Sequence, residues 1–318
     1  RYAEARRSTL AGVAKAPKRW MHNDTMTLVP RFLALPDHPY PRITAASAAR
    51  KAGWVEKQLG PWRPDVIVCH TLWPAAILAN RLAQRWSCPL VGVVHGYDFD
   101  VGLDLKGVGD RIRSAAACCD ALVCASQRLA DLVRDRGMNA RRVETIPCLT
   151  DVDREWRQPV RPMKKAWKKE PIDILFPADP RRPEKRHLLA LQTGEVLEER
   201  GWVVGITTLR HQPRSIVFDR MLTADVTLIT SRREAGPLVA RESLMCGTPV
   251  VSVDVGEVGR YLPEEWVHED DPEALADGIE HALRHGWQSE DTVDERLAFA
   301  SFEAVSQAWT GLLSSLVS

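Results

Sequence analysis

The chain has 318 residues, 45% of them apolar, and a formal net charge of +1, so it is long enough for two ordinary domains with substantial cores. Near-neutrality gives no global attraction to nucleic acid, no uninterrupted apolar run is long enough for a membrane-spanning helix, and no secretory leader is expected. Seven cysteines, an odd number without metal-type CxxC pairs, fit free thiols in a reducing cytoplasm.

Residues 1 to about 43 are weakly patterned, with one expected strand near Thr25–Pro30 and a proline-rich passage before a helical stretch, Ala45–Leu59. From there the pattern alternates. Strands are expected at Val66–Cys69, Leu90–Val94, Ala121–Cys124 and Val143–Ile146; helices at Ala75–Trp86, Leu105–Ala117 and Gln127–Arg136. Such alternation predicts a parallel sheet with helices on both faces, and ligands of such sheets sit at the carboxyl ends of the strands. That rule selects His70 and Trp73 after one strand, and His95, Gly96 and Asp98 after the next. A lone histidine is ordinarily a buried core residue, but two at equivalent strand ends favour an acceptor-side cleft. Ser126 reads as a helix cap.

Arg157 to Glu170 holds six lysines and arginines against one glutamate. With Pro159 and Pro162 it reads as a solvated linker; peripheral contact with anionic lipid head groups is the alternative. A second domain opens with a strand at Ile172–Phe176, followed by PADPRRPEKRHLLAL and a helix over Arg186–Arg200. Arg182 and Lys185 are candidates for holding phosphate, a guanidinium as a fork and an ammonium as a point charge, with a solvated helix start as the plainer reading. Further elements are a strand Trp202–Thr207, a helix Ser215–Leu222, a strand Trp266–Glu269, a helix Pro272–Arg284 and a helix Arg296–Val317.

The most informative stretch is Asp225–Asp254, which reads as strand, loop, helix and strand. Pro237 is placed to start the helix, and Cys246-Gly247 followed by Thr248-Pro249 to end it. Free amides at the helix start beside Gly236 suit an anion such as phosphate, with Pro237, Leu238 and Val239 supplying the first turn. Glu234 and Glu242 bracket this start at Glu-x7-Glu spacing, and carboxylates accept sugar hydroxyls. A solvated acidic pair favoured by the helix dipole is the alternative.

The run EAGPLVARESLMCGTPVVSVDVGEV resembles the donor-binding signature of glycosyltransferase family 4, a group of retaining enzymes of the GT-B type. The resemblance implies two Rossmann-like doubly wound α/β domains facing across a cleft. It implies that Glu242 holds ribose, Glu234 contacts the donor sugar, Arg182 and Lys185 neutralise the leaving diphosphate, and His95 of the HGYD segment lies against the sugar. Here Pro237-Leu238 stand where an aromatic is more usual, and Cys148-Leu149 replace the Asn-Gly of a recurrent IPNGVD segment. The implied domains are 1–156 on the acceptor side, 157–170 as linker, 171–300 on the donor side, and a terminal helix 301–318 returning to the first domain. By the same resemblance an opening strand and glycine-rich loop, about 30 residues or one βαβ unit, precede residue 1. The expected reaction is glycosyl transfer from a nucleoside diphosphate sugar to a glycan or lipid-linked acceptor, with retention and with no metal or cofactor, in polysaccharide assembly in the cytoplasm or at the inner face of the membrane. A nucleotide-sugar epimerase and a non-catalytic binding protein of the same fold are the competing readings.

Overall fold

The computed structural model describes residues 16–34, 40–96, 101–160 and 171–317. Asp98 and most of the expected linker, residues 161–170, lie outside them. By internal contacts the chain divides into two compact units, one built from residues 1–122 and 138–142, the other from 123–137 and 143–316.

The first unit opens with a hairpin that the sequence reading half missed. β1 (Arg19–His22) pairs antiparallel with β2 (Thr25–Leu28). Its two-residue turn, Asn23-Asp24, holds both residues at positive φ, 44° and 60°, which Asn and Asp tolerate and which matches the twist of a hairpin. Where one helix was expected over Ala45–Leu59, there are two, α1 (Pro41–Ala49) and α2 (Ala52–Leu59). Arg50 and Lys51 keep helical dihedrals, and only the hydrogen-bond ladder tightens between them, with Lys51 N donating to Ala48 O at 3.0 Å.

A four-stranded sheet follows in the order β3-β4-β5-β6: β3 (Ile67–His70), β4 (Leu90–Val94), β5 (Ala121–Cys124) and β6 (Val143–Thr145). β3 and β4 are parallel, with His70 in register with Val93. The intervening helices are α3 (Ala75–Trp86), α4 (Gly109–Ala117) and α5 (Gln127–Asp135). β4 and β5 are buried throughout, as continuous apolar runs covered on both faces must be. α4 starts later than the Leu105 expected because Gly107 takes φ 73° and a side chain at Gly109 would stand 2.2 Å from Leu103 O. Ser126 caps α5 as expected, its Oγ accepting from Leu129 N at 3.2 Å.

The second sheet is parallel, in the order β11-β10-β9-β7-β8: β7 (Pro171–Phe176), β8 (Val203–Thr208), β9 (Val226–Ile229), β10 (Val250–Val253) and β11 (Val267–His268). Its helices are α6 (His187–Glu199), α7 (Arg214–Thr223), α8 (Leu238–Met245) and α9 (Pro272–His285). The core gathers Ile174, Phe176, Leu228, Ala240, Leu244, Val251, Trp266 and Ile279. The helix expected over Arg296–Val317 is broken into α10 (Val293–Leu297), a 3-10 turn at Ala298–Ala300, and α11 (Phe302–Val317). Ser301 makes the break: its backbone is extended, and its hydroxyl accepts from Ala304 N at 3.2 Å.

Candidate functional site

β7 has β8 on one side and β9 on the other, so the chain leaves β7 in one direction and returns beyond it. Loops diverge at such a switch point, and open doubly wound sheets bind ligands there, outside the carboxyl ends of the strands. The loop after β7 carries Arg182 and Lys185; the loop after β9 carries Glu234 and Gly236. The two loops are laced together. Thr230 Oγ1 donates to the carbonyls of Lys185 and Arg186 at 2.8 and 3.1 Å, Arg186 Nε donates back to Thr230 O at 2.6 Å, and Arg232 N donates to Glu184 O at 2.8 Å.

Lys185 Nζ then forms an ion pair with Glu234 Oε1, both side chains mostly buried. These two expected residues are therefore in direct contact. Arg182 is not part of that contact. Its guanidinium is half exposed and pairs with Glu184, two residues along, at 2.6 Å, while Arg181 pairs with Asp179 at 2.6 Å and holds its carboxyl well below the usual range. Arg186, not singled out by the sequence reading, is more buried than either. It takes φ 50°, and its guanidinium forks onto both oxygens of Asp270, with Nη2 to Oδ1 at 2.7 Å.

The helix expected after Gly236 is α8, one residue shorter than anticipated. Pro237 has ψ 101° and stands as N-cap, leaving Leu238 as the first helical residue. No side chain caps this end, so its first-turn amides point out of the helix without a side-chain acceptor. At the other end the stop is as anticipated: Gly247 takes φ 78°, Gly247 N donates to Leu244 O at 2.9 Å and Thr248 N to Ser243 O at 3.0 Å, the paired bonds of a Schellman motif.

Glu242, inside α8, is buried, and Arg214 Nη1 from the start of α7 lies 3.0 Å from its Oε1. Burial raises the Glu242 pKa, with Arg214 working against that rise. Two further charges missed by the sequence reading lie under the same helix end. Arg241 is fully buried, and its Nη1 stands 3.9 Å from Oε1 of the buried Glu257 carboxyl. A side chain added at Gly236 would meet that same oxygen at 3.0 Å. Their partnership spans 16 residues, and although both lie within the quoted run EAGPLVARESLMCGTPVVSVDVGEV, neither was given a role there.

The other expected residues sit in the first unit. His70 and His95 end adjacent parallel strands; Nδ1 of one is 3.4 Å from Nε2 of the other, and the rings stack with centroids 5.6 Å apart. Gly96 follows directly. Trp73 is 6% exposed, so it is a core residue and not the cleft-lining one expected. A cavity of about 940 Å³ lies at the β10–β11 end, lined by Asp254, Gly259, Glu265, His268 and Arg296 among others, and it includes none of the candidate site residues. Among the described residues no cluster of histidine, cysteine and carboxylate side chains suits a metal ion.

The family model for Glycosyltransferase Family 4 matches residues 11–154, and that for Glycosyl transferases group 1 matches residues 197–296. The D-inositol 3-phosphate glycosyltransferase of Xylanimonas cellulosilytica is 27% identical over 259 residues, covering 67% of this chain and 59% of that protein. Its counterpart in Thermobispora bispora is 32% identical over 99 residues, covering 24% and 23% respectively. The matches thus span less than two thirds of either relative. Sucrose-phosphate synthase from Thermosynechococcus elongatus shares the fold, with a TM-score of 0.67 at 19% identity over 95% of this chain and 86% of that one. Two parallel sheets clothed in helices, a switch point beside an uncapped helix, and family models that together reach from residue 11 to residue 296 lead to one conclusion: the chain is a glycosyltransferase family 4-like protein of the GT-B fold.

Proposed function

We propose that the protein transfers a glycosyl unit from a nucleoside diphosphate sugar to a hydroxyl of a glycan or lipid-linked acceptor, with retention of configuration and without metal or cofactor. The observation that carries this reading is the Lys185–Glu234 pair beside the uncapped start of α8. The amides of Leu238 and Val239, approached past the bare Gly236, take the diphosphate, and Lys185 adds a point charge. As the sugar–phosphate bond breaks, negative charge grows on the departing diphosphate, and preoriented donors stabilise it without reorganising.

Glu234, anchored by Lys185, accepts donor-sugar hydroxyls, and Glu242 accepts those of the ribose. Arg214, already on one Glu242 oxygen, works against the upward push of burial on that carboxyl. Arg182 is assigned to the diphosphate on the condition that it exchanges Glu184 for the ligand. His95, with His70 against it, is assigned to orienting the sugar. The acceptor side is expected to include Gly96 and Asp98. Retention and metal independence rest on the family resemblance and on the basic groups named.

The test is calorimetric binding of UDP and GDP, followed by donor hydrolysis and transfer assays in which the anomeric proton is followed by NMR. Binding of one nucleotide with turnover of its sugar supports the proposal; binding without turnover favours a non-catalytic protein of this fold. An inverted product removes the retaining assignment.

A further inference from the structure

Glu257 presents a difficulty for any anion site at the start of α8. Its side chain is 7% exposed, and its Oε1 lies 3.0 Å from where a Cβ on Gly236 would stand. A carboxylate there opposes a phosphate at the same helix end, by the same dipole argument that makes the end attractive. Arg241, 1% exposed at its side chain, stands 3.9 Å from that oxygen. Its three guanidinium nitrogens, Glu257 Oε1 and Tyr261 Oη make no hydrogen bond with any described residue. The guanidinium instead lies 5.8 Å from the centre of the Phe299 ring. A charge held this deep without hydrogen bonds is costly, and it sits next to a buried carboxylate that, unlike Glu234 and Glu242, is given no ligand hydroxyl to accept.

We propose that Arg241 is a charge-balancing residue for the donor site, cancelling Glu257 beneath Gly236 so that the end of α8 presents a net positive field to a diphosphate. The inference rests on the proposed donor site and extends it to a residue that touches no substrate, so Arg241 is a positioning residue for charge and not a catalytic one. The groups facing Glu257 are Arg241 from α8, Arg260 at 3.9 Å from Oε2, the Tyr261 phenol and the Cys148 thiol. Arg260 is half exposed and therefore screened, which leaves Arg241 as the buried counterweight. Burial raises the Glu257 pKa, and Arg241 is the first of the charges pulling it back down.

The proposal makes signed predictions for UDP and GDP binding, each variant first checked for a native melting transition. Arg241→Met leaves the Glu257 charge uncancelled and lowers affinity about tenfold. Glu257→Gln, which keeps the shape and removes the charge, binds at least as tightly as the native chain. The double variant returns to within about twofold of native affinity. Native affinity in Arg241→Met, weakened binding in Glu257→Gln, or a double variant as weak as Arg241→Met overturns the proposal, because each describes a pair that merely fills space. If the native chain binds neither nucleotide, the proposed function fails, and the charge balance is read separately by carbon-detected NMR titration of Glu257. Its titration moving upward in Arg241→Met sustains the balance; an unmoved titration overturns it.

Discussion

The two sheets hold their chemistry in different ways. The described strands of the first, β3-β4-β5-β6, follow the chain in order. They bring two strand ends side by side and with them two imidazoles, His70 and His95, whose ring nitrogens approach to 3.4 Å. The second reverses direction about β7, and its loops are fastened by ion pairs, Lys185 to Glu234 with both side chains mostly buried and the mostly buried Arg186 to the exposed Asp270, while α8 carries Glu242 against Arg214. Sequential winding aligns two neighbouring rings; reversal opens a place where charges from distant segments are matched. The proposed phosphate site is assigned to the second of these.

The comparison can be broken at several points. The largest effect is expected at Gly247→Ala. An added methyl would stand 2.5 Å from Pro159 O at a φ of 78°, and strain plus overpacking should cost about 3 kcal/mol in urea unfolding. An unchanged midpoint would show that the helix stop is not rigid. Next, Glu242→Ala should weaken nucleotide binding by about 1–3 kcal/mol, measured by calorimetry; unchanged affinity removes Glu242 from the ribose. Lys185→Ala, tested the same way, should cost about 1.5–3 kcal/mol, whereas Arg182→Ala, exposed and paired locally, should cost under about 1 kcal/mol. Equal losses would mean that the two arms of the loop share the diphosphate.

His70→Ala sharpens the contrast between sheets. UDP affinity should stay within about twofold of native, while sugar transfer falls; a matching fall in UDP affinity would give the first sheet a part in holding the nucleotide. The smallest effect concerns pH. Burial raises the Glu242 pKa above its usual 4.5, so the folded state binds that proton more tightly than the unfolded chain does. The stability associated with it is full below 4.5 and is lost as pH rises through the folded value. Glu242→Gln should therefore gain stability relative to the native chain across that interval; a difference independent of pH would show that Arg214 fully offsets the burial.

What could be read from the sequence was what short range decides. The Gly247 stop, the Ser126 cap and the buried strands β4, β5, β9 and β10 follow from signals within a few residues, and each appears in place. Lys185 and Glu234 were each named through the strand-end rule and the family resemblance together, but their pairing with one another was not anticipated. Arg214 on Glu242 and Arg241 on Glu257 were not legible, because the partners are 28 and 16 residues apart and meet only through packing of helices and loops on the sheet. Arg182 shows the reverse failure. A basic cluster names the loop, but which of its members turns inward is settled by nearby acids, here Asp179 and Glu184. The Asn23-Asp24 turn was a usable hairpin signal, masked by the proline-rich passage that follows it.

One consequence of the Schellman stop lies outside donor chemistry. Gln158 N donates to Met245 O at 2.9 Å, and Pro159 O sits where only a glycine leaves room, at Gly247. The strap of chain at 157–160 is thus bolted to one end of a rod of eight residues, about 12 Å long, whose opposite pole is Pro237. Tension in that strap reaches the Pro237 pole along a single rigid axis, so movement of residues 157–160 would register at the start of α8.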